Sequence, residues 1–225
     1  MAGYTGQPDD QYSPYGQQPY PNTPDQGYAY PPPGPDTGPA PQPPALPPLP
    51  WRQLLTGIVT RPQDTFMRMR DYQMWVPALI VTFLYGMLAV LGLEDARDTV
   101  LDSTASTVAP YLIGTGVAMV LGALVLSTVT HNLARQFGGN GIWAPTAGLA
   151  MLIMCVTDIP RLALALFLGG GAPLVQVVGW ATWLGAGALF TLMVSASHEI
   201  SRPRALGASV VQLLALLMLI KLGTI

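Results

Sequence analysis

Residues 75–93 read WVPALIVTFLYGMLAVLGL and contain no charged side chain. A helix needs about 20 apolar residues to cross the hydrocarbon core of a bilayer, so this stretch is long enough for one crossing. Similar stretches follow at about 109–131, 143–168, 173–196 and 205–222. None shows the period-2 alternation that is typical of membrane-barrel strands. The sequence therefore predicts an all-α integral membrane protein with five transmembrane helices.

The composition supports this class and argues against a soluble globular enzyme. Only 10% of the 225 residues are charged, whereas soluble domains carry about 25%. The net charge of −2 provides no basic surface for nucleic acid. The chain also contains no nucleotide-binding or catalytic motif. We therefore expect no catalytic residue, no bound metal and no cofactor.

Residues 1–50 differ in composition from the rest of the chain. They hold 16 of the 23 prolines and four acidic residues but no lysine or arginine. Because this segment has few large apolar side chains, burial cannot offset the entropy lost on folding, which predicts a disordered Pro-rich arm. The arm either recruits a cytoplasmic protein, for which residues 44–47 offer a PxxP match, or serves as a solvated tether.

The distribution of basic residues predicts the topology. With the N-terminus in the cytoplasm, seven basic residues fall on the cytoplasmic side and two outside, in agreement with the positive-inside rule. This orientation places the C-terminus outside a plasma membrane. The amphipathic segment 51–74 carries four of the arginines. Its Phe66 and Met69 share one side, which is typical of a helix in the lipid headgroup layer.

A short motif precedes the first span, Asp71-Tyr-Gln-Met-Trp75-Val-Pro77, and an upstream run reads Ile58-Val-Thr-Arg-Pro62-Gln-Asp-Thr-Phe66. With the five spans, these residues resemble the Yip-domain family of small five-span membrane proteins, named for interaction with Ypt/Rab GTPases. The resemblance covers about residues 51–225. It implies a Yip-like integral membrane protein with a cytoplasmic N-terminal region and no catalytic fingerprint. Nine arginines against one lysine indicate a bacterial source.

The third apolar stretch contains two charges near its middle, Asp158 and Arg161, with Pro160 between them. A charge at the bilayer centre costs at least about 2.5 kcal/mol, and such residues are often functional. The i, i+3 spacing allows the two side chains to pair on one helix face. Pro160 is expected to kink or break the helix. The pair is either a proton or ion site of a small transporter, or a self-neutralised pair that holds the bundle together.

Two histidines, His131 and His198, are predicted at cytoplasmic ends of the second and fourth spans, with Glu199 beside the second. These three residues would be able to ligate zinc if the helix ends meet, but no HExxH-type spacing supports a metal site. Gly114, Ala118 and Gly122 follow one another at four-residue spacing, which favours close packing within the chain or a homo-oligomer. The most consistent hypothesis is a non-enzymatic protein that organises membranes or binds a partner. Its expected partners are the bilayer and a cytoplasmic protein held by the arm.

Overall fold

The computed structural model describes residues 47–222, apart from the side chains of residues 94, 95 and 219–222. The described part of the chain is helical and contains no strand. Its α-helices are α1 (Trp51–Thr60), α2 (Pro62–Met69), α3 (Trp75–Ala89), α4 (Glu94–Asp102), α5 (Ala105–Gln136), α6 (Trp143–Leu168), α7 (Pro173–His198) and α8 (Arg202–Leu222). A short 3-10 turn, Val90–Gly92, extends α3. Except for residues 47–50, the predicted arm lies outside the described residues.

Four helical segments of the described chain are long and apolar enough to cross a membrane, where the sequence predicts five. They are Trp75–Gly92, Ala105–Gln136, Trp143–Leu168 and Pro173–His198. The fifth predicted span corresponds to α8, which is helical but is not among the four. Its first turn carries Arg202 and Arg204, and its last apolar turn passes beyond the described side chains. The prediction of an all-α membrane protein is therefore confirmed, and the number of qualifying spans is corrected to four.

Helix α6 lies at the centre of the bundle, because residues 145–155 are all buried. It packs against α3, α5 and α7, while α8 packs against α5 and α7. Helices α3 and α5 approach closely at Gly86, where a Cβ atom would lie 2.6 Å from the Cβ of Met119. The small residues for which the sequence predicts close packing do not lie at this contact. Gly114 and Gly122 face open space, so neither packs against another part of the described chain.

Helix α6 runs unbroken through Pro160, so the predicted break is absent. Proline removes one backbone donor from the helix. One turn before the Pro160 ring, Thr157 donates its hydroxyl to the carbonyl of Ile153 at 2.8 Å. Packing of α6 on three neighbouring helices keeps the segment helical on both sides of the proline. The residues after Arg161 are therefore part of the same helix.

Helices α1 and α2 fold onto one end of the bundle, which we call the capped end. Here α2 packs against α7, and α1 packs against α2 and α6. Leu54 and Ile58 of α1 and Phe66 and Met69 of α2 are fully buried in the core. This differs from the expectation that Phe66 and Met69 face lipid headgroups. Their apolar side is covered by protein, and Gly57 permits the close crossing of the two helices at Thr65.

Candidate functional site

The two intramembrane charges, Asp158 and Arg161, form an ion pair on α6. Arg161 donates from Nε to Asp158 Oδ1 at 2.6 Å and from Nη2 to Oδ2 at 2.8 Å. Both residues are buried, with 9% of Asp158 and 7% of Arg161 exposed. The two parallel hydrogen bonds match the planar fork of the guanidinium to the carboxylate. The pair is therefore neutral as a unit and fixed in orientation.

A third residue, Tyr85, completes this group, although no sequence motif marks it. The hydroxyl of Tyr85 on α3 donates to Asp158 Oδ2. One turn away, Thr82 and Cys155 bring a hydroxyl and a thiol to 3.6 Å across the same two helices. A tyrosine in the middle of an apolar span was the available signal, since a buried hydroxyl needs a partner. Its partner is 73 residues away, and the sequence alone does not reveal that contact.

A small cavity adjoins Asp158 on the side of α7 and α8. Its volume is about 20 Å³, and its polar lining comes from Thr157, Asp158 and Thr182. Both threonine hydroxyls donate to carbonyls of their own helices, so their oxygens remain able to accept. A space of this size holds about one water molecule. The pair thus has room beside it for a single solvent molecule.

The capped end brings together the two histidines named in the sequence analysis. The rings of His131 and His198 lie 5.0 Å apart between centroids. Thr146 donates its hydroxyl to the carbonyl of Ile142 at 2.8 Å and therefore accepts from His198 Nε2 at 3.2 Å. The Nδ1 atoms of both histidines are buried without a partner among the described residues. The two helix ends that carry these histidines therefore lie side by side in the structure.

Glu199 does not join the histidines, although it follows His198 directly. Its carboxylate accepts from Arg70 on α2 and, at 2.7 Å, from the side chain of Asn140. The hydrogen bonds from Asn140 and Arg70 lower the pKa of Glu199 below its usual range. The Glu199 contact likewise raises the pKa of Arg70. Across the described residues, no group of three His, Cys, Asp or Glu side chains is arranged to hold a metal.

The pre-span motif residues occupy structural positions at the capped end. Pro62 begins α2, where its missing N–H costs nothing, and Phe66 is fully buried. Asp71 accepts a hydrogen bond from the neighbouring Arg70 at 3.3 Å. Trp75 begins α3, with Pro77 in its first turn. Glycine at position 148 of α6 allows the backbone at Trp75 to approach, since a Cβ there would lie 3.1 Å from the Trp75 nitrogen.

The long apolar helices and their buried interhelical contacts define a multi-pass membrane protein. Within that class, residues 56–223 match the family model of the Yip1 domain, and the chain belongs to this family. This match confirms the resemblance seen at the pre-span motif. No curated protein and no solved structure matches the chain.

Proposed function

We propose that this Yip1-family chain is a non-enzymatic protein that organises a bacterial plasma membrane or binds a partner at it. The observation that supports this role is that the two intramembrane charges are paired with each other and buried. Asp158 accepts hydrogen bonds from Arg161 and Tyr85, and the adjoining cavity has a volume of only about 20 Å³. A transport site would need access for its substrate, which gives the small-transporter alternative no support.

The proposed topology has five spans, with α8 as the last. Helix α8 packs along α7, where Trp183 Nε1 donates to the Leu213 carbonyl at 2.8 Å. This contact seats α8 beside a helix that is long and apolar enough to cross the membrane. The capped end then faces the cytoplasm, because it carries most of the arginines. The C-terminus lies outside the cell.

Partner binding is assigned in this proposal to residues 1–50. The arm combines many prolines with six tyrosines and no basic residue, a composition suited to extended recognition by an aromatic-lined groove. The chain joins α1 at residue 51, so on the proposed topology the arm leaves the bundle on the cytoplasmic side.

Affinity capture from native membranes tests the recruitment. The full chain, a chain lacking residues 1–50, and a chain with the same 50 residues in scrambled order would be crosslinked and captured in parallel. We expect at least one cytoplasmic protein to be captured by the full chain and lost from both variants. The scrambled arm controls for length and composition. An identical set of captured proteins for all three chains would contradict the proposal.

A further inference from the structure

An apolar groove of about 470 Å³ runs between α7 and α8. Gly187 and Ala188 form part of its α7 wall, and Leu206 and Leu213 line it from α8. A Cβ atom on Gly187 would lie 3.6 Å from the Leu213 side chain, which is an ordinary van der Waals distance. Because glycine has no side chain, the groove stays open at this position. The groove lies against a helix that is long and apolar enough to cross the membrane. Its chemistry and position therefore fit a hydrocarbon chain.

Unpaired arginines lie at one end of this groove. Arg202 and Arg204 are in the first turn of α8, within one turn of Leu206, and both are exposed. Neither forms an ion pair with any described residue. The nearest acid in the sequence is Glu199, whose carboxylate is already bound to Arg70 and Asn140. Arginine cannot lose its charge in a protein, so these two guanidinium groups lack a counter-ion from the described chain.

A third arginine adds to the charge of this region. Arg135 lies in the last turn of α5, two residues before Phe137. The Phe137 ring touches the start of α8, since a Cβ atom on Gly207 would lie 3.4 Å from its Cε2 atom. Like the α8 arginines, Arg135 is exposed and forms no ion pair within the described residues. The positive charge at this end of α8 thus comes from two helices.

We propose that the α7–α8 groove and the arginines at its end form a binding site for an anionic phospholipid. The phosphate binds Arg202, which lies one turn before Leu206 on the same side of α8 and whose guanidinium group matches phosphate geometry. Arg204 adds positive charge at this end of the helix, and one acyl chain occupies the groove. Basic sites between membrane helices favour anionic headgroups over zwitterionic ones. A headgroup amine would meet the same positive charges and be repelled. This site is independent of the role proposed for the arm.

Native mass spectrometry of the full chain in detergent tests the headgroup contact. Phosphatidylglycerol and phosphatidylcholine of equal chain length are titrated against the natural chain and against Arg202→Gln/Arg204→Gln. We expect the natural chain to prefer phosphatidylglycerol, and the double variant to lose about 30-fold in affinity for it, roughly fivefold for each arginine. Binding of phosphatidylcholine should not change. Arg52→Gln/Arg61→Gln removes the same charge from exposed positions of the α1–α2 region and should bind like the natural chain.

A second variant tests the groove itself. Gly187→Leu fills the groove and should lower the affinity for both lipids about tenfold, whereas Gly185→Leu, which faces open space on the same helix, should leave both unchanged. Glycerol phosphate, a headgroup without acyl chains, should not displace the lipid at millimolar concentration. Equal binding of the two lipids by the natural chain, full affinity in the arginine variant, or displacement by glycerol phosphate would overturn the proposal.

Discussion

At the residue scale, the Asp158–Arg161 pair is expected to matter through its balance of charge. Removing one partner of a buried pair leaves an uncompensated charge and costs about 3–5 kcal/mol. Asp158→Ala should therefore lower the free energy of unfolding in mixed detergent by that amount. The double variant Asp158→Leu/Arg161→Met should cost less than Asp158→Ala alone, because no charge remains. A double variant that costs as much as Asp158→Ala, or more, would contradict the pairing.

Tyr85 is expected to stabilise the same group by its hydroxyl. Hydrogen bonds to charged groups contribute about 1.5–3 kcal/mol, so Tyr85→Phe should lower the free energy of unfolding by about that amount. Tyr111→Phe is the matched control, since Tyr111 is exposed on α5 and should lose little. Both variants are compared by unfolding in detergent. Equal stability of the two would mean that Tyr85 does not hold Asp158.

Gly141 lies where the turn before α6 contacts the end of α7. A Cβ atom at this position would lie 2.3 Å from the carbonyl oxygen of Ser197, a backbone atom that cannot move freely. Gly141→Ala should lower the free energy of unfolding by about 1–3 kcal/mol, the usual cost of overpacking. Gly122→Ala faces open space on α5 and should be neutral or stabilising by up to about 1 kcal/mol. Thermal unfolding in detergent compares the two variants. Unchanged stability of Gly141→Ala would contradict the close contact between the turn before α6 and the end of α7.

At the element scale, α2 is held to the bundle by its apolar side. Phe66 is fully buried, while its neighbour Met67 is 49% exposed. Phe66→Ala should therefore cost about 3–5 kcal/mol and make the α1–α2 region sensitive to limited proteolysis. Met67→Ala should change neither property by much. If the two variants behaved alike in detergent, the buried position of α2 would be wrong.

Helix α2 also has a feature that the sequence alone does not predict. An amphipathic pattern at 51–74 correctly indicates helices with one apolar side, because periodicity depends only on helix geometry. It does not say whether lipid or protein covers that side. The answer depends on α7, whose sequence lies more than 100 residues further on. Helix α6 is the opposite case, since its bounds of 143–168 follow directly from the apolar run and agree with the structure.

At the scale of the whole molecule, hydropathy predicts helices well and contacts between helices poorly. The apolar runs place α3, α5, α6 and α7 within a few residues of their observed bounds. The Asp158–Arg161 pairing was accessible as well, because both residues lie on one helix. The hydrogen bonds of Tyr85 to Asp158 and of Arg70 to Glu199 could not be predicted in this way, since each joins distant parts of the chain. Glu199 lies next to His198 in the sequence, yet the fold turns its carboxylate toward Arg70 and Asn140.

The proposed topology, with a cytoplasmic arm and an outside C-terminus, requires an odd number of membrane crossings. Cys155 is the only cysteine, so Cys155→Ala provides a background for single cysteines at positions 2 and 225. Intact cells are treated with a membrane-impermeant maleimide, and permeabilised cells control for reactivity. We predict labelling at position 225 and none at position 2 in intact cells. The same response at both positions would place the two ends on one side and contradict the five-span topology.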